Sequence, residues 1–219
     1  MMMYDVIILA GGEGKRTKLA YNKVFYEVNG KPLLRYIFSV FLKDKRVNRI
    51  ILVANRKDID YLSDLKQKGI IVTTGGQTRH ESVENGLQFV NSAYVLIHDG
   101  ARPNVSIKLV DRILNALKNH EAVVPLIPIY DTIKKVEHQK ITGNIDRQNL
   151  YRVQTPQGFL SQTIKRLYQK KDKQTSFTCD ISLYEAMSKR NAGIVIGDVL
   201  NFKVTDEEDL LVMERILND

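Results

Sequence analysis

The chain alternates short, β-rich apolar runs with stretches whose apolar residues recur at helical spacing. Residues 4–9 predict a buried strand that runs straight into a glycine-rich turn; a strand covered on both faces needs no polar alternation. Residues 32–42 predict a helix, because Pro32 suits a first turn and Leu33, Leu34, Ile37, Val40 and Phe41 fall on one face. The same reading predicts strands at 50–53, 70–73, 94–98 and 122–126, separated by helices at 58–68, 79–90 and 107–119. The rhythm then breaks. Residues 132–136 and 149–153 predict two strands of an extended hairpin spanning Gly143 and Asn144. Helices at 161–170 and 180–189 and a strand at 194–196 follow. A last helix at 206–217 has Thr205 and Glu208 at the spacing of a capping box.

This alternation predicts an α/β fold: a Rossmann-like three-layer sandwich with a mostly parallel sheet and a protruding β-hairpin arm. Without repeats or linker-like segments, residues 1–219 read as one domain, with 130–155 as the arm. In such sheets ligands bind beyond the carboxyl ends of the strands, so the loops there are where chemistry is sought.

Composition narrows the possibilities. Apolar residues make up 43% of the chain, enough for a core. The lone Cys179 excludes an intramolecular disulfide framework and a thiolate metal cluster, and fits the reducing cytoplasm. The longest apolar runs, such as 6–10 and 50–54, fall far short of the ~18 residues of a membrane span. The start, Met1-Met2-Met3-Tyr4-Asp5, has no basic region before its short apolar run and does not read as a signal peptide. Thirty-three Lys and Arg against 25 Asp and Glu leave a net charge of +8, unevenly placed. Residues 134–173 carry net +7, and residues 204–219 carry net −5. A basic excess suits nucleic acid, an anionic membrane or small polyanions. Aromatic residues within the basic block are few (Tyr151, Phe159, Tyr168) and no recognition module appears, which disfavours nucleic acid.

The loop after the first strand, Ala10-Gly11-Gly12-Glu13-Gly14-Lys15-Arg16, has the small residues that let backbone amides approach a polyphosphate, with Lys15, Arg16 and Lys18 adding charge. It is neither a Walker A loop nor a dinucleotide fingerprint. The bland alternative is a turn with solvated lysines, and directly after a first strand phosphate binding is the better reading. Lys23 is ambiguous by itself. In the second loop, Gly75 and Gly76 precede Arg79 and Ser82 on one face of an opening helical turn; taken alone, Ser82 reads as a cap and Arg79 as a surface residue. The third loop, His98-Asp99-Gly100-Ala101-Arg102-Pro103, sets a carboxylate at the end of a central strand beside an arginine. That arrangement suits Mg2+ with a phosphate, or an Asp99–Arg102 ion pair that only shapes the turn. His98 reads as a packed or hydrogen-bonded histidine and Cys179 as an inert thiol. Thr132, Arg147, Thr155 and Lys203 are hydroxyls and cations suited to a small phosphorylated acceptor, or else part of a solvated basic face.

Together these pieces resemble the 2-C-methyl-D-erythritol 4-phosphate cytidylyltransferase family, and more broadly the sugar- and polyol-phosphate cytidylyltransferases. The resemblance runs from Val6 to Asp209 and rests on motifs in one order. They are Ala10-Gly11-Gly12-x-Gly14-x-Arg16, Asn22-Lys23, Gly30-Lys31-Pro32-Leu33, Gly75-Gly76-x-x-Arg79-x-x-Ser82, His98 to Pro103, Asp131-Thr132-Ile133-Lys134, Gln154-Thr155-Pro156-Gln157 and Asn201-Phe202-Lys203-Val204-Thr205. The resemblance implies transfer of CMP from CTP to 2-C-methyl-D-erythritol 4-phosphate, with release of pyrophosphate, in non-mevalonate isoprenoid precursor biosynthesis. It implies catalytic roles for Arg16, Lys23 and Lys203, and CTP binding by Ala10, Gly11, Gly12, Gly14, Lys15, Gly75, Arg79 and Ser82. The acceptor would be held by Asp99, Arg102, Thr132, Arg147, Thr155 and Lys203, with Mg2+ at Asp99. It further implies a homodimer through the arm, so that Thr132 and Arg147 serve the neighbouring subunit's site.

The sequence departs from the family pattern at Asn22, where Pro is usual, and at Val24, where Gln is usual. It also departs at Gly100, where Ala is usual, and at Cys179, where an acid is usual. The nearest rival within the class is ribitol 5-phosphate cytidylyltransferase, and outside it a non-catalytic nucleotide- or nucleic-acid-binding protein.

Overall fold

Strand β1 (Tyr4–Ala10) runs through the middle of the sheet, and its alternation assigns residues to two cores. Tyr4, Val6, Ile8 and Ala10 face one layer, where helix α1 (Leu33–Phe41) contributes Leu34, Ile37, Phe38 and Phe41 and helix α3 (Ile107–Ala116) contributes Leu109, Val110 and Ile113. Ile7 faces the other layer, against Val83 and Leu87 of α2 (Arg79–Leu87), Ile164 and Leu167 of α4 (Ser161–Lys170) and Ile181 and Tyr184 of α5 (Asp180–Ser188). This is the three-layer α/β arrangement the alternation implied. The computed structural model of the chain describes residues 2–12, 15–62, 65, 69–172 and 175–218, with only the backbone of Lys15.

β1 pairs in parallel with β4 (Val47–Ala54) and β6 (Tyr94–Asp99), and β4 in parallel with β5 (Ile71–Thr74). Beyond β6 lies β11 (Gln157–Leu160), antiparallel to both β6 and β7 (Ala122–Pro128). β10 (Tyr151–Val153) pairs antiparallel with the far end of β7, and β12 (Gly193–Ile196) pairs with β7 in parallel. The carboxyl ends of β1, β4, β5 and β6 thus open on the same edge. A small hairpin, β2 (Glu27–Val28) with β3 (Lys31–Pro32), precedes α1 and packs with Val204, Leu210 and Met213 beside the last helix, α6 (Glu207–Asn218).

Four expectations change. The hairpin arm is β8 (Ile133–Glu137) with β9 (Lys140–Ile145), joined by His138 and Gln139 at φ of 47° and 63°. A two-residue connection of this kind takes positive φ at both positions, usually through Asn or Gly, and neither occurs here. Residues 151–153 belong to the main sheet instead. β11 has no counterpart among the predicted strands, because its Gly158 and Phe159 carry no alternation to read. The expected helix at 58–68 begins as two 3-10 turns, Arg56–Asp58 and Asp60–Leu62, and most of its remainder lies outside the described residues. At α6 the cap is Asp206, whose Oδ1 accepts from the Asp209 N–H at 3.0 Å. Asp209 in turn accepts from the Thr205 N–H at 2.7 Å, so the box sits one residue later than Thr205 and Glu208.

Candidate active site

The first loop leaves β1 at Ala10 and continues through Gly11 and Gly12, whose backbones face an open cavity of about 670 Å³. Arg16, Asn22 and Lys23 enter from the next segment, and Gly76, Gln77, Thr78, Arg79 and Ser82 from the loop and first turn of α2. Asp99 comes from the end of β6, and Lys203 and Thr205 from the loop before α6.

The second loop has its shape for a steric reason. Thr78 caps α2 by accepting from the Glu81 N–H at 3.1 Å, while Glu81 Oε2 accepts from the Gln77 N–H at 2.6 Å. A Cβ on Gly76 would lie 2.2 Å from Glu81 Cβ, so the loop folds onto the helix start only with glycine there, and one on Gly75 would lie 2.8 Å from Ser82 Oγ and displace that hydroxyl. Ser82 is not the cap. Its Oγ accepts from the Gly76 N–H at 3.1 Å and donates to the Thr78 carbonyl at 3.0 Å.

Asp99 is the electrostatic centre of the cavity. Its carboxylate meets Lys203 Nζ at 3.1 Å, Arg102 Nε at 3.6 Å and Arg79 Nη2 at 3.7 Å. Burial opposes its ionisation, but these three cations outweigh it and hold the carboxyl well below the usual carboxylate range. Arg79 is shared: its Nη2 also lies 2.8 Å from Asp180 Oδ2, and Asp180 is fully buried and accepts from the Tyr168 hydroxyl at 2.6 Å. Lys23 is buried at 9% exposure. Desolvation, with Lys203 and Arg16 nearby, pushes its ammonium below the ordinary lysine value. A cavity that crowds cations in this way is built to receive an anion.

Loop 201–205 is stapled in place to deliver Lys203. Asn201 Nδ2 donates to the Thr155 carbonyl at 2.8 Å, Gln154 Nε2 to the Asn201 carbonyl at 3.0 Å, and the Val204 N–H to the Ala101 carbonyl at 2.8 Å. Arg102 Nη1 donates to the Asn201 carbonyl at 3.0 Å, so it braces this loop from behind Asp99. Thr155 is buried beneath the cavity. Its hydroxyl oxygen accepts from the Asp99 N–H at 3.0 Å and lies 3.0 Å from His98 Nδ1.

The fold therefore gathers Ala10, Gly11, Gly12, Arg16, Lys23, Arg79, Ser82, Asp99 and Lys203 around one space. Gly75 stands just outside, donating to the Ala54 carbonyl at 2.8 Å. Thr132 and Arg147 are exposed on the arm segment and do not line the cavity; Arg147 Nη1 donates to the Tyr130 carbonyl. Gly14 and the Lys15 side chain lie outside the described residues. Asp180, Asn55, Gln77 and Thr78 escaped the sequence reading. Asp180 is 101 residues from Arg79 in the chain, and only the neighbouring departure at Cys179 drew attention to it. Among the described residues no group of three or more His, Cys, Asp or Glu could hold a metal. Among the described residues that line the cavity Asp99 is the one carboxylate, the kind of oxygen donor a hard cation takes alongside phosphate and water.

The family described as 2-C-methyl-D-erythritol 4-phosphate cytidylyltransferase matches residues 4–219. A relative of that name from Bacillus mycoides (strain KBAB4) is 40% identical over 224 residues, covering 99% of this chain and 98% of the relative. The crystal structure of 4-diphosphocytidyl-2C-methyl-D-erythritol synthase from Anaerococcus prevotii DSM 20548 superposes with a TM-score of 0.86 at 30% identity, over 99% of this chain and 96% of that one. A 2-C-methyl-D-erythritol 4-phosphate cytidylyltransferase from Thermus thermophilus superposes with a TM-score of 0.86 at 28% identity, over the full length of both. These comparisons agree with the eight sequence motifs taken in order.

Proposed function

This chain belongs to the 2-C-methyl-D-erythritol 4-phosphate cytidylyltransferase family, and we propose that it transfers CMP from CTP to 2-C-methyl-D-erythritol 4-phosphate in the cytosol. The observation that carries the reading is the convergence of the Ala10–Gly12 backbone, Arg16, Lys23, Asp99 and Lys203 on one cavity at the strand ends. One oxygen of the acceptor phosphate forms a bond to the α-phosphorus. The bond from that phosphorus to its bridging oxygen breaks, and pyrophosphate leaves with the electron pair. A phosphate monoester has a second pKa of about 6, so the nucleophile is already ionised and needs no general base. The protein's task is to align two anions that repel each other and to stabilise charge as it moves.

In this reading the first loop and Arg16 hold the triphosphate, and Lys23 neutralises charge gathering at the α-phosphate. An incoming phosphate offsets the crowding of Lys23 by Arg16 and Lys203. Arg79 and Ser82 shape the nucleoside side of the cavity. Lys203 orients the acceptor beside Asp99, Arg102 braces from behind the loop that carries Lys203, and Thr155 holds Asp99 from below. Mg2+ would be held by Asp99 and would supply further neutralisation of the phosphates.

The arm supports a homodimer. Ile133 pairs across it with Ile145, and past the register shift between Lys135 and Val136 the pair Val136–Ile141 stands on the opposite face, three residues along β8. Val136 and Ile141 are 58% and 67% exposed, and a lone two-stranded ribbon with uncovered apolar pairs is marginal in water. A second subunit covering the Val136–Ile141 pair would bring Thr132 and Arg147 to its neighbour's acceptor.

The test is pyrophosphate release from CTP and Mg2+ over a panel of polyol phosphates. Turnover is expected with 2-C-methyl-D-erythritol 4-phosphate; turnover with ribitol 5-phosphate alone overturns the acceptor, and none with any acceptor overturns the activity. Lys23→Ala and Arg16→Ala are each expected to lower kcat by roughly 10²–10³, the loss usual for a transition-state donor.

A further inference from the structure

Lys23 carries a positive charge in a place that repels it. Burial disfavours the charge, Lys203 and Arg16 push against it, and the carboxylates of Asp209 and Asp99 attract it only from a distance, none of the described ones lying within ion-pair distance of its Nζ. Among the described residues no hydrogen bond or ion pair anchors the tip of the side chain, so its location depends on the 3-10 turn, Lys23–Phe25, from which it springs.

That turn is held by the residue before it. Asn22 is 3% exposed, and its side chain bonds in three directions. Nδ2 donates to the Ala10 carbonyl at 2.6 Å and to Asp58 Oδ2 at 3.3 Å, while Oδ1 accepts from the Val24 N–H at 3.3 Å and caps the turn. Ala10 is the last residue of β1 and the first of the phosphate loop. One amide therefore ties that loop, the Arg56–Asp58 turn and the lysine's own turn together. The backbone at Asn22 sits at φ −67°, the angle that a prolyl ring imposes covalently. Among the described residues its N–H donates to no acceptor, so a ring at this position would remove no hydrogen bond.

We propose that Asn22 is the positioning residue for Lys23, fixing by three hydrogen bonds the turn that a proline would fix by its ring. The inference rests on Lys23 acting at the α-phosphate. A shift of about 1 Å in a charge-stabilising group costs up to about 10²-fold in rate. Asn22→Ala should therefore lower kcat by about 10- to 100-fold while the KM for CTP changes less than about threefold.

Two comparisons test the route of the effect. In a Lys23→Ala background, Asn22→Ala should cost less than about a further twofold, because the residue it acts through is gone. Asn22→Pro, which restores φ without the amide, should recover most of the lost kcat. A third readout needs no substrate: acylation of the Lys23 amine by an amine-reactive reagent, followed by mass spectrometry. It should change severalfold in Asn22→Ala, where the amine leaves the crowding that lowers its pKa and gains exposure, and return toward the wild-type rate in Asn22→Pro. Wild-type kcat in Asn22→Ala, the same loss in the Lys23→Ala background, equal impairment of the alanine and proline variants, or unchanged labelling would each overturn the inference. Full activity of Lys23→Ala would instead overturn the reading it rests on.

Discussion

Acidification is expected to destabilise this protein through His98, by an amount that follows from the histidine's surroundings. His98 is completely buried on β6, its ring packed edge-on to Phe41 with centroids 6.1 Å apart. Nε2 lies 3.0 Å from the Arg102 carbonyl, which can only accept, so that nitrogen carries the proton. Nδ1 must then accept from the Thr155 hydroxyl, whose oxygen already takes the Asp99 N–H. The neutral ring completes a chain that reaches the Asp99 backbone. A second proton would turn the Nδ1 acceptor into a donor facing the hydroxyl that donates to it. Burial, outweighing the Arg102 carbonyl and Asp99, pushes His98 down to about 4 from 6.5. Between those values the unfolded chain binds a proton that the folded protein refuses. Stability therefore rises with pH across that window and is lost as pH falls through it. At about 1.4 kcal/mol per pH unit, the loss from pH 6.5 to 4 amounts to about 3 kcal/mol. Urea unfolding at pH 4, 5, 6 and 7 on wild type and His98→Asn reads this directly. The variant is less stable throughout, but its stability should fall by about 3 kcal/mol less over the window. Burial also lowers the His80 pKa, and that contribution is common to both proteins and cancels in the difference. Parallel stability–pH curves for the two proteins would refute the assignment.

Asp180→Asn removes the buried counter-charge of Arg79 and Tyr168 without changing shape. Breaking a buried pair costs about 3–5 kcal/mol, and with Arg79 29% exposed the lower end applies, so calorimetry should show Tm about 6–12 °C lower. Gly100→Ala would place a Cβ 2.8 Å from the Leu9 carbonyl oxygen, which already accepts the Gly100 N–H at 2.8 Å. A loss of about 1–3 kcal/mol in chemical denaturation is expected, and a neutral outcome would mean that the third loop can back away from β1. Ile141→Asp sets a charge in the exposed Val136–Ile141 pair of the arm. Light scattering should find the variant monomeric, with a Tm that no longer rises with protein concentration, and an unchanged dimer would remove the arm from the interface.

Much of the architecture was legible from the chain because local signals agreed with the global fold. Apolar strands alternate with amphipathic helices, and glycines fall where β1 and β5 end. The strands whose carboxyl ends border the cavity, β1, β4, β5 and β6, were placed to within a few residues. What failed was structure whose signal is not local. The turn at His138 and Gln139 lacks turn residues, so the hairpin was paired too far along the chain. β11 was invisible because a short antiparallel strand buried between two others needs neither alternation nor length.

The site divides in the same way. By itself the sequence determined which chemistry is available: a glycine-rich loop with Arg16 and Lys23, a carboxylate at Asp99, and a distant Lys203, in an order shared with one family. Residue types and their order survive in one dimension. Only the tertiary structure decided how they act on one another, because hydrogen bonds, burial and charge depend on distance in space. It brought Lys203 within 3.1 Å of Asp99 from 104 residues away, and it set Asp180 behind Arg79. It also turned the Thr155 hydroxyl inward to His98, and it made Asn22 a tie between the loop after β1 and the turn that carries Lys23.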